Sequence, residues 1–329
     1  MPEKKNPGKK NFDAQLAALD ALREQPDEAC VVPLRAALKH QNNYLASKAA
    51  DQVAQRHLEA LLPDLLTAFD RFFEDAAKRD PQCWAKNSIS RALAALELQE
   101  PAPILRGLKH VQLEGTWGGS SDTAGTLRGT CALALVQCRT LPEQELLRHL
   151  IDVLVDADKT ARNDAVRALA QLGSPAAALL LRLRAQLGGD EPEVVGACYA
   201  AVLSIEGISA LPWASRFLAN EDDAAGEAAL AIAATHAPEA FKILKSRWEH
   251  TRDPWFRSVL LSAIALTRQS AAMEFLLEMV RADSLGADLA VEALLRSAPS
   301  DEAVRQLKTL VTGNSRLERI FAANATARR

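Results

Sequence analysis

The chain has 329 residues, 48% hydrophobic and 25% charged, which excludes wholesale disorder and allows two ordinary domains or one elongated array. A formal net charge of −3 is a poor electrostatic footprint for a general nucleic-acid binder. Apolar runs such as Ala176 to Leu181 are too short to cross a bilayer, so no membrane association is expected.

In chain order, residues 1–12 open with MPEKKNPGKK, lysine-rich with no apolar segment behind it. They predict a basic flexible tail, not a secretory signal, and hence a cytoplasmic protein. From residue 13 to 329 a single all-α domain is expected, because one pattern recurs. In DADKTARNDAVRALAQLG, Asp156 to Gly173, an acidic turn precedes a helix whose Ala161, Ala165, Ala168, Leu169 and Leu172 recur at helical spacing. Copies can be laid along the chain on the anchors Ala49, Ala92, Ala132, Ala168, Ala201, Ala231, Ala263 and Ala293, separated by 30 to 43 residues. That period suits two short antiparallel helices per unit. Past Ala298 the pattern weakens to an amphipathic helix, DEAVRQLKTLV, then a short terminal helix with a frayed tail.

An alanine where helices cross lets their axes approach closely, while flanking Leu, Ile and Val fill the groove on either side. A helix pair of this size cannot bury its apolar face alone, so each must stack on the next. Asp122, Asp158, Asp253 and Asp283 fall at one equivalent position before the second helix. There a carboxylate can accept the free N–H groups of the first turn, worth roughly 1 kcal/mol each.

The segment Asp156 to Gly173 resembles the HEAT-like repeats related to phycobilisome lyases, with Ala161 and Arg162 standing where Val-Arg is usual; Phe256 and Arg257 match the same slots. Lys86 is a conservative replacement of that arginine, whereas Thr126, Val195, Ala225 and Ala287 depart from it. The resemblance covers roughly residues 13 to 312 and implies a right-handed α-solenoid of about eight helix pairs. It is nearly mute about function, since such repeats serve scaffolds, adaptors, lyases and a few DNA-repair enzymes.

The stretch TWGGSSDTAGTLRG, Thr116 to Gly129, departs from this alanine-rich background. It is no P-loop, since no lysine occurs between Lys109 and Lys159, and no strand pattern precedes it as a dinucleotide fold requires. The repeat instead puts Asp122 on the cap position and makes Trp117 to Ser121 a flexible inserted connector, with Gly118 and Gly119 supplying backbone freedom and Arg128 one turn inside the next helix. Two readings of Trp117 stand. It covers the end of a core formed with Leu113 and Leu133, or it is an aromatic platform beside Asp122 and Arg128 for a partner side chain or a base.

Asn87 and Arg91 align with Asn163 and Arg167, 76 residues later, on the helix that lines the concave face in HEAT-like solenoids. They form either a ladder for carboxylates or phosphates, or an ordinary solvated face. Trp84 and Trp255 share a slot after a proline turn and read as packing over the preceding unit. Catalytic motifs, metal-ligand spacings and cofactor fingerprints are absent, so no catalytic residue, metal or cofactor is expected. The five cysteines read as small buried hydrophobes and the six histidines as surface or cap residues.

Charge is uneven: residues 159–184 carry a net +4, 188–240 carry −8 and 303–329 carry +5. A duplex along the whole groove would meet the acidic middle, which favours a protein partner in a non-catalytic scaffold. The competing reading is a DNA-binding or repair protein similar to the HEAT-like alkylpurine glycosylases, with Trp117, Asp122 and Arg128 as its chemical group.

Overall fold

A computed structural model describes residues 7–297 and 301–326, so the first six residues of the expected tail and residues 298–300 and 327–329 lie outside the described residues. The chain divides into two compact units, residues 1–172 and 173–329. Almost all of both is helical. The first unit holds α1 (Pro7–Ala21), which begins inside the expected tail, then α2 (Asp27–Leu38), α3 (Asn43–Arg56), α4 (Leu62–Arg71), the single turn α5 (Ala76–Arg79), α6 (Trp84–Ala95) and α7 (Pro101–Leu108). A β-hairpin of β1 (Leu113–Thr116) and β2 (Gly119–Asp122) follows, then α8 (Gly125–Leu135), α9 (Glu143–Leu154) and α10 (Lys159–Leu172). The second unit holds α11 (Pro175–Leu187), α12 (Pro192–Glu206), α13 (Leu211–Ser215), α14 (Asp223–Ala234), α15 (Pro238–His250), α16 (Pro254–Leu266), α17 (Ser270–Arg281), α18 (Ala287–Arg296), α19 (Asp301–Val311) and α20 (Ser315–Thr326).

Within each unit the second helix of every pair packs against the second helix of the next. The first unit runs α3 on α6 on α8 on α10, backed by α2, α4, α7 and α9. The second runs α12 on α14 on α16 on α18 on α20, backed by α11, α13, α15, α17 and α19. All eight anchor alanines are buried in these rows, as the repeat required. Glycine carries the close approach further. A Cβ on Gly125 would stand 2.6 Å from the Asp158 Cβ, and one on Gly129 would stand 2.9 Å from that of Asp164. Proline in the first turn of α7, α11, α12, α15 and α16 starts those helices where a missing N–H costs nothing. Several end on a residue in the left-handed region, among them His57, His236 and Arg268. His57 Nδ1 lies 3.2 Å from the Ala95 carbonyl and His236 Nδ1 3.2 Å from that of Thr267, so each ring ties one row helix to the end of the next.

The turns that lead into α8, α10 and α16 share one recurring contact. A side-chain oxygen accepts the N–H two residues on: Asp122 from Ala124, Asp156 from Asp158, Thr251 from Asp253. The basic residue six positions on then reaches back to the same turn. Arg162 donates to the Asp156 carbonyl at 2.8 Å, Arg257 to the Thr251 carbonyl at 3.1 Å, and Arg128 to the Asp122 carboxylate at 2.7 Å. Lys86 does the same toward Asp80, in a fully buried ion pair of 3.0 Å that also serves the Phe72 carbonyl. The basic slot of the α8 unit is therefore filled by Arg128 and not by Thr126, two residues from where alignment on Ala132 puts it.

Two of the four expected aspartate caps form, Asp158 to the Ala161 N–H and Asp253 to the Phe256 N–H. The other two do not. Asp122 belongs to the earlier position of the turn, and the Asp283 carboxylate is engaged by Asn314 and Arg316. The helical run Pro192–Asn220 has the length and hydropathy to cross a membrane, yet 56% of its most apolar stretch is buried. Gly207, with φ 66°, breaks it after α12, and it packs as core between α11 and α14.

Because the Asp158 side chain fills the space above Gly125, Gly125→Ala is expected to destabilise the protein by about 1–3 kcal/mol despite the better helix propensity of alanine. Urea unfolding checks this; an unchanged or raised midpoint would contradict the packing.

Candidate functional site

The glycine-rich stretch is not a flexible connector. Leu113 pairs with Asp122, Glu114 with Ser121, Gly115 with Ser120 and Thr116 with Gly119 in antiparallel register. The two-residue turn Trp117-Gly118 closes it, with Gly118 at φ 97°, a backbone state that favours glycine. Trp117 is 106% exposed at the tip, so it covers no core. Nor does it stand beside Asp122 and Arg128: they lie at the root, and four-residue strands put about 13 Å between root and tip.

The root is held by two adjoining networks. In one, Asp122 accepts the Gln112 N–H at 2.9 Å and the Ala124 N–H at 3.0 Å, and the Thr123 N–H donates to the Gln112 carbonyl at 2.9 Å. Arg128, 7% exposed, then binds Asp122, the His110 carbonyl at 2.9 Å and, through Nε and Nη2, both oxygens of Asp156 at 2.6 and 2.8 Å. In the other, one Glu114 oxygen takes hydrogen bonds from the Gln82 N–H, the Gln112 amide and the Thr123 hydroxyl at 2.6 to 2.7 Å. The Gln112 amide also donates to the Asp80 carbonyl, and the Asp80 carboxylate receives the Ala85 and Lys86 N–H groups that open α6. Two helices, α6 and α8, thus grip the base of a ten-residue arm.

Electrostatics agree with this role. Burial pushes the carboxyls of Asp122 and Glu114 up, but the hydrogen bonds they accept outweigh it and hold both below the usual carboxylate range. Burial opposes the Arg128 charge, and the two aspartates outweigh it, so the guanidinium stays charged. Burial holds His110 below the ordinary imidazole value and pushes the Cys83 and Cys131 thiols up to about 12, far from reactive. All five cysteines are free and buried. Outward the arm offers an indole and the hydroxyls of Thr116, Ser120 and Ser121, with Val111 and Leu113 exposed lower down.

The remaining sequence-derived residues are not brought together with the arm's tip. Asn87 is buried in α6 at 9% exposure with its carbonyl oxygen unpartnered, so it forms no exposed rung. Arg91 donates to the Ser88 hydroxyl at 2.8 Å and pairs with Asp51. On α10, Asn163 is half-buried and Arg167 pairs with Asp164 at 2.9 Å. Trp84 packs on Tyr44 of the preceding row helix, with centroids 5.7 Å apart, as its slot suggested. Sequence reasoning missed Glu114, Gln112 and Asp80. The only local hint of the hairpin was the Trp117-Gly118 turn dipeptide, which marks no strand without β-forming residues on either side.

Removing the guanidinium would leave the half-buried Asp122 and Asp156 carboxylates without their shared cation. Arg128→Met is expected to cost about 3–5 kcal/mol, whereas Trp117→Ala should change stability by less than about 0.5 kcal/mol. For Asp122→Asn the loss is full at neutral pH and shrinks as pH falls from the ordinary carboxylate range through the lower folded value, because the native site favours the ionised form. Denaturant midpoints from neutral to acid pH check all three.

No protein-family model matches this chain, and a search of curated proteins returns no relative.

Proposed function

We propose that the chain is a non-catalytic interaction scaffold of HEAT-like helix pairs, and that the β-hairpin is the arm with which it holds a protein partner. The observation that carries this reading is a fully exposed tryptophan on a turn whose root is fixed by partly buried ionic and hydrogen-bonded contacts. Indole in water gains nothing for the monomer, while tryptophans on rigid supports concentrate binding energy because little conformational entropy remains to be lost. The row packing of second helices within each unit and the recurring six-residue contact at their entry turns support a solenoid of stacked pairs.

The same geometry weakens the DNA-repair alternative. Asp122 and Arg128 are consumed by each other, by Asp156 and by backbone groups, which leaves Trp117 without the acid and base that chemistry on a nucleobase would need.

With photoreactive benzoylphenylalanine at position 117, irradiation of the chain in native lysate is expected to yield discrete cross-links to one or a few proteins. In pull-downs without cross-linking, Trp117→Ala should lower recovery of those proteins relative to the unsubstituted chain at least about tenfold without moving the melting temperature. Cross-links to nucleic acid, or equal recovery by the variant, would contradict the proposal.

A further inference from the structure

The second unit carries a face with two chemistries in line. Along α12, Glu193, Ala197, Ala200 and Ser204 recur at helical spacing, and along the neighbouring α14 so do Asp223, Glu227, Leu230 and Ala234; none of the eight is buried. Glu227 lies over Gly196, where a Cβ would meet its side chain at 2.5 Å. One turn further on, Ala200, Leu203, Ser204, Ile208, Ala231 and Ala234 line a groove of about 320 Å³, with Ile208 63% exposed at its far end. From α16, Trp255 and Val259 lean over Gly226, each 3.5 Å from where a Cβ would stand, and Trp255 is 46% exposed.

The −8 of residues 188–240 is not spread evenly over this surface. Asp190, Glu206 and Glu221 pair with Arg184, Arg182 and Arg247, and Asp222 caps α14. Asp223 and Glu227, neither of them in one of these pairs, stand on the face one turn apart. Among the described residues no cation pairs with Glu227. Burial, then Glu193, then Asp223 push its carboxyl above the ordinary glutamate value, so the protein pays for holding these charges together. The acids meet an apolar groove on one side and an indole on the other, a surface complementary to a cation next to an apolar anchor.

We propose that the face formed by α12, α14 and the start of α16 docks a basic amphipathic segment of a protein partner, its lysines or arginines on Asp223, Glu227 and Trp255 and its apolar side chains in the groove beside Ala200 and Ala234. This rests on the scaffold reading above and names the partner chemistry that a second surface would select. Lysine and arginine stems also cover apolar ground, which suits a seam of alanines with few deep pockets.

The probe is a fluorescein-labelled helical peptide of about fourteen residues with three lysines leading a leucine-bearing half, set against the same peptide led by three glutamates. Anisotropy with the full chain is expected to detect the lysine peptide only, with affinity falling about tenfold or more between about 50 and 300 mM salt. The double variant Asp223→Asn, Glu227→Gln should weaken binding about tenfold, and Ala234→Glu should block the groove end at either salt. Hydrogen exchange should protect residues 193–208 and 223–235. Equal binding of both peptides, indifference to the double variant, protection elsewhere, or self-association of the chain through this face would each overturn the proposal. Trp117→Ala should leave peptide binding intact. Thus loss of the position-117 cross-links with peptide binding preserved sinks the hairpin reading alone, and the reverse pattern sinks this one alone.

Discussion

A cation reaching six residues back to close the turn before its own helix is the interaction on which the first unit depends most heavily. Each row helix must begin at a fixed angle for its neighbour to seat an alanine or glycine against it, and the entry turn sets that angle. In the first unit Arg162 sets it with a backbone carbonyl, and Arg128 and Lys86 with a carboxylate; Arg257 does so in the second unit with a backbone carbonyl. Buried ion pairs of this sort add little net stability over an apolar replacement, but removing one partner is costly. Here that asymmetry works as geometry: the turn is either closed or the packing above it is lost.

Arg128 serves two consecutive turns, its own through Asp122 and the next through Asp156. The space between α7 and α8 can therefore take an insertion without loosening the row, and the insertion is the hairpin. An isolated two-stranded hairpin is marginal in water. This one is stabilised from below, by side chains that belong to the helical repeat as much as to the strands. Its charged residues Glu114 and Asp122 turn to the root, so the tip is left with small polar residues and one indole. The helical rows thus carry, on a non-helical arm, an indole fully open to solvent.

Much of the helical organisation was legible in the sequence. The alanine anchors are buried, and Asp158 and Asp253 cap as their spacing required, because a 3.6-residue period and an N-cap are local signals carried by few residue types. The hairpin was not legible, since four-residue strands of Leu-Glu-Gly-Thr and Gly-Ser-Ser-Asp have neither the length nor the β-branched content that marks a strand. Alignment on Ala132 then shifted Arg128 out of its slot by two residues, and with it the role of Asp122. Asn87 looked like a groove residue because its spacing from Arg91 is helical, but spacing alone does not tell which side of α6 is covered. The acidic stretch was visible only as a sum; that Asp223 and Glu227 share a face with an apolar groove depends on which acids the arginines of α11 and α15 take up.

The central claim is that the root contacts hold the hairpin as a rigid arm. Backbone ¹⁵N order parameters for residues 112–123 test it directly. The contacts described predict values of about 0.85 through both strands in the native protein, falling below about 0.6 when Asp122→Asn loosens the root while α8 stays ordered. Strands that already fluctuate at the lower level in the native protein would contradict it.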